Sequence, residues 1–161
     1  MKSTPLATIG PVLGFDRDNT MNVTQLPFNR LIGMEPGDPE GEFLASLPDD
    51  SKYTNHLGTV HATALFALAE AGSGEFLLRH MGSGEGFVGV VRRVEGKFRK
   101  PATGSVSARA SVGADVVSGW SVELERRGRV LAPVAMEVVD AGGTVALYAT
   151  IEWFISRQDD K

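Results

Sequence analysis

Glu70 is the residue whose surroundings most need a chemical explanation. It is the one acid in an otherwise apolar run from Ala62 to Gly72, where Thr63 is the only other polar side chain. Seven residues is nearly two helical turns, so Thr63 and Glu70 share a helix face. A helix apolar on almost every side is wrapped by other structure, and an unpaired ionised carboxylate placed there is strongly disfavoured. Glu70 is therefore a candidate general base or nucleophile. The structural alternative is a buried acid paired with Arg92 or Arg109. Just upstream, Asn55-His56-Leu57-Gly58-Thr59-Val60-His61 forms a polar loop that opens the helix. His61 has two readings, a cap on the helix or a direct contact to substrate, and Asn55 is either a turn residue or a polar group that orients a reactant.

The elements that must position these residues follow from periodicity. The helix is expected from about Val60 to His80, stopped by Gly82-Ser83-Gly84-Glu85-Gly86. Gly41 to Leu47 reads as a strand, as do Phe87 to Arg99, Leu131 to Val139 and Thr144 to Ile155. From Val106 to Ala114 apolar and polar residues alternate, which is the two-residue period of a half-buried strand. Ser118 to Arg127 reads as a short helix or an irregular crossover. One long helix with mostly antiparallel strands is an α+β plan, the sheet curled around the helix. Its small residues, among them Ala64, Ala67, Ala71, Gly72 and Gly74, let neighbouring elements approach closely. Residues 1–40, rich in Pro, Gly, Asn and Asp, are expected as an appendage docking on a domain of residues 41–161.

Composition narrows the chemistry. A net charge of -4 and the absence of a basic face argue against nucleic-acid or acidic-membrane partners. The sequence has no cysteine, so thiolate metal sites and cysteine nucleophiles are excluded. His56, His61 and Glu70 match no tight zinc spacing, and no metal is expected. No Gly-x-Ser-x-Gly elbow supports serine-hydrolase chemistry. No apolar run is long enough to span a bilayer and no signal-peptide pattern is visible, so the expected location is the cytoplasm.

With Asn55, Gly58, His61 and Glu70 at these spacings, and with Phe98-Arg99-Lys100-Pro101-Ala102 running to Gly104, the chain resembles the hotdog-fold thioesterases, in particular the PaaI-like group and related hotdog proteins. The resemblance runs from about Phe28 to Ile155 and departs in one place: Ala62-Thr63 stands where the family usually has Gly-Gly. It implies a curled antiparallel sheet around one central helix, a homodimer or tetramer with sites spanning two subunits, and hydrolysis of an acyl-CoA or acyl-carrier thioester. No cofactor is implied beyond the coenzyme A of the substrate.

The implied roles have a physical rationale. Glu70 acts on water or on the thioester carbon, while the Ala62 N–H at the positive end of the helix polarises the carbonyl. Asn55 and His61 complete the motif, and Ser73, one turn on, helps position the water or the carboxylate. Gly58 and Thr63 border the substrate. Arg93, Arg99 and Lys100 are candidate contacts to the coenzyme A phosphates, with a solvated strand face as the alternative. Two other classes stay open: a hotdog dehydratase or hydratase using His56 and Glu70, and a non-catalytic acyl-CoA binding module.

Overall fold

The computed structural model describes residues 21–82 and 86–158. The first half of the expected appendage and the Ser83 to Glu85 part of the glycine-rich stop lie outside the described residues. In chain order the elements are α1 (Pro27–Leu31), β1 (Glu35–Pro36), β2 (Phe43–Leu47), α2 (Ala62–Met81), β3 (Phe87–Phe98), β4 (Val106–Ala110), α3 (Ala114–Arg127), β5 (Arg129–Asp140) and β6 (Val145–Arg157). All strand pairs are antiparallel in one sheet of order β1-β2-β4-β5-β6-β3.

The strong alternation of β5 and β6 sets their register. Met136 faces Ala149 and Val134 faces Ile151 across the β5–β6 hairpin. These buried residues form the inner face with Val106, Ala108 and Leu147. Against it lies α2, whose Leu65, Leu68, Ala69, Ala71, Phe76 and Leu77 are buried. Gly72 makes the approach possible, because a methyl group there would meet Ala108 Cβ and Met136 Cε at 3.0 Å each. This is the curled antiparallel sheet around a central helix that the resemblance implies.

One expectation is corrected and one open alternative is resolved. The strand expected through Ala114 stops at Ala110, and α3 begins at Ala114. The apolar Val112 and Ala114 extend the alternation by coincidence. Further along, Val117, Trp120 and Leu124 bury at helical spacing, resolving the ambiguous 118–127 stretch as the greater part of a 14-residue helix. That helix packs on β5 beside α2. In the N-terminal segment, Asn22 caps a single 3-10 turn, Val23–Gln25, and the Asn29 Nδ2 donates to Val23 O at 2.7 Å. The Tyr53 hydroxyl donates to Ile32 O, tying the segment to the loop before α2. Val23, Thr24 and Asn29 are buried.

Candidate active site

Glu70 sits midway along α2, half-buried, on the wall of an apolar cavity of about 170 Å³. Burial alone pushes its carboxyl pKa up. Among the described residues no ion pair or hydrogen bond holds the carboxylate. Arg109 is not its partner, being held by Glu137 at 2.8 Å and Glu42 at 3.4 Å, and Arg92 forms no ion pair among the described residues. An uncompensated carboxylate of raised pKa inside an apolar cleft is a stability liability and a chemical asset.

The liability has a testable sign. Because the folded pKa lies above the unfolded one, the folded chain holds the proton more tightly. The associated stability is fully present below the unfolded pKa and is lost as pH rises through the folded value. Thermal unfolding across pH should show wild type losing stability relative to Glu70→Gln over that window. Parallel curves for the two proteins would contradict the assigned environment.

The N-terminus of α2 carries the second half of the motif. His61 is the N-cap: its Nδ1 accepts the Thr63 N–H at 3.1 Å, and its backbone N–H donates to Tyr53 O at 2.7 Å. The Nδ1 of His61 is thus taken up in capping. Ala62 is exposed at the first helical position, and its N–H has no acceptor among the described residues. Asn55 is likewise spent locally. Its Oδ1 accepts from Leu57 N at 2.9 Å and Thr59 N at 3.2 Å, and its Nδ2 donates to Thr59 Oγ1 at 3.0 Å. Gly58, at φ +73°, completes this turn. Asn55, Gly58 and His61 therefore shape the loop that presents the Ala62 amide, with Thr63 exposed beside it.

Ser73 is fully buried and does not touch the Glu70 carboxylate. Its hydroxyl donates to the Glu70 backbone carbonyl at 2.6 Å and accepts the Trp153 indole N–H at 2.8 Å. It is a positioning residue that joins the helix turn bearing Glu70 to β6. Trp153 and the N-terminal Val23 and Leu26, which also line the cavity, have no marking motif in the sequence. The inward parity of Ile151, Trp153 and Ile155 along β6 is the one pattern from which Trp153 could be found.

The basic residues divide. Arg93 pairs with the adjacent Glu95 on the outer face of β3, opposite Val94 and Phe98. Arg99 and Lys100 are exposed in the turn that follows, and Val60 N–H donates to Ala102 O at 2.9 Å, which sets that turn beside the start of α2. Among the described residues no helix is long and apolar enough to cross a membrane.

Comparison with known proteins supports the fold. The family model described as a domain of unknown function (DUF4442) matches residues 34–155. A Pseudomonas aeruginosa protein described as a probable thioesterase is similar at TM-score 0.72 and 22% identity, over 84% of this chain and 91% of the other. A Bacillus halodurans protein solved with CoA is similar at TM-score 0.59 and 20% identity, over 80% of this chain and 74% of the other. A mutant thioesterase from Staphylococcus aureus is similar at TM-score 0.58 and 11% identity, over 80% and 98% respectively. No curated protein matches the sequence significantly.

Proposed function

The chain belongs to the DUF4442 family, in a hotdog fold, and from that premise we propose that it is an acyl-CoA thioesterase, hydrolysing its substrate to a free acid and coenzyme A. The observation that carries this reading is Glu70, a carboxylate without a partner among the described residues, on the wall of an apolar cavity in a fold shared with thioesterases. As general base, Glu70 takes a proton from water, whose oxygen attacks the thioester carbon. As nucleophile, it forms an anhydride that water then opens. In both routes the carbonyl oxygen gains negative charge, a helix-terminal amide stabilises it, and the thiolate of coenzyme A leaves.

That amide comes from a second copy of the chain. Ala62 and Glu70 are separated along one helix by roughly 12 Å, too far to serve one carbonyl. An antiparallel pair of α2 helices brings each Glu70 to the partner's Ala62 amide. The exposed edge strand β3, with Val88, Val90, Val94 and Phe98 exposed, supplies a surface for such a homodimer. Arg99 and Lys100, beside the helix start, suit the phosphates of coenzyme A, and the similar Bacillus halodurans protein was solved with CoA. Water is the only co-reactant, and the cytoplasm is the proposed location.

Release of free thiol from a panel of acyl-CoA thioesters tests this reading. Steady turnover by a dimeric protein is expected. Tight binding of acyl-CoA with no thiol released would point to a binding module, and hydration of an enoyl-CoA to a dehydratase-type reaction; either would overturn the hydrolase.

A further inference from the structure

The cavity beside Glu70 is small and mostly apolar. It lies between the C-terminal half of α2 and the N-terminal segment, and Val23, Leu26, Leu78, Met81 and Leu124 line it with Trp153. At about 170 Å³ it slightly exceeds the roughly 150 Å³ apolar cavity that accommodates benzene.

One wall is unusually fixed. The Trp153 indole is anchored through Ser73 to the backbone carbonyl of Glu70 itself, by bonds of 2.8 and 2.6 Å, which holds the wall against the helix turn that bears Glu70. Two glycines flank the indole. A methyl group at Gly74 would lie 3.5 Å from Trp153 Cζ2 and 3.7 Å from Val23 Cγ1, between the indole and the N-terminal segment. A methyl group at Gly89 would lie 3.4 Å from Trp153 Cε3. Both glycines line the cavity and leave open the space that a side chain would fill.

We propose that Trp153, held by Ser73 and faced by the N-terminal segment across Gly74, sets the length of the acyl group, selecting aliphatic chains of roughly six to eight carbons. This inference deepens the thioesterase reading and rests on it for the chemical identity of the ligand. The aliphatic preference follows from the Leu, Met, Val and Ile side chains of the lining, which outnumber the aromatic Phe87 and Trp153.

Calorimetric titration with S-alkyl-CoA thioethers from ethyl to hexadecyl, which cannot be hydrolysed, tests the size gate separately from catalysis. Affinity should rise about fourfold per buried methylene, peak at hexyl to octyl, and fall for longer chains. Gly74→Ala should move the peak to shorter chains while favouring the helix, and Leu124→Ala should move it to longer ones. Affinity that climbs through to hexadecyl, a phenylethyl thioether that binds more tightly than octyl, or a peak unmoved in both variants would overturn the gate. A peak in the expected place without thiol release from any acyl-CoA would retain the gate and remove the hydrolase; thiol release with a flat length profile would do the reverse.

Discussion

Glu70→Gln should lower kcat at least 100-fold, within the range of roughly 10²–10⁴ associated with losing a general base, while leaving the fold intact. The substitution keeps the shape of the side chain and removes its basicity. Among the described residues no cation depends on Glu70, so its loss orphans no buried charge. By removing an ionisable group from a desolvated site it should instead leave the melting temperature unchanged or raised at neutral pH, a trade of stability for function. Wild-type kcat/KM should fall on the acid side with a midpoint above the ordinary glutamate value of about 4.3, because the burial that raises the pKa also sets the proton affinity of the base. Activity retained in the variant, or an acid limb at the ordinary value, would remove Glu70 from the chemistry.

Ala62→Pro should be nearly as damaging and equally innocent structurally. Ala62 is the first residue of α2, the position where proline is most at home because its missing N–H is one the helix does not use. The preceding His61, at φ -62° and ψ 137°, already has the extended backbone that a following proline demands. The substitution therefore deletes one amide donor and little else. Loss of an oxyanion donor lowers kcat by about 10²–10³, whereas Ala62→Gly, which keeps the amide, should stay within a few-fold of wild type. Circular dichroism should be unchanged in both variants. Near-normal turnover by a folded Ala62→Pro protein would relocate the oxyanion site.

The carboxylate is legible in the sequence because a lone acid in an apolar helix contradicts its own surroundings. The long helix and the β5–β6 hairpin are legible because their periods run for many residues without interruption. Where a short pattern competes with a neighbour, legibility fails: Val112 and Ala114 continue the β4 alternation just where the chain turns into α3. The roles of site residues depend on partners that no local spacing reveals. Ser73 is expected beside the carboxylate, yet its partner is Trp153, 80 residues away. Asn55 and His61 keep their places in the motif, but their polar atoms close a turn and cap a helix. In the proposed site their part is to hold the loop that presents the Ala62 amide. Arg93 lies on the basic stretch read as a phosphate contact, and its partner proves to be Glu95, two residues along the same strand.

The most direct test of the shared site is complementation between the two inactive variants. Glu70→Gln and Ala62→Pro subunits, co-expressed with different affinity tags and purified as the mixed dimer, contain one site that combines an intact Glu70 with an intact Ala62 amide across the subunit boundary. Thiol release by that dimer should recover to roughly half the wild-type rate, although each parent homodimer is inactive. A mixed dimer as inactive as its parents would contradict a thioester site built from the carboxylate of one subunit and the helix amide of the other.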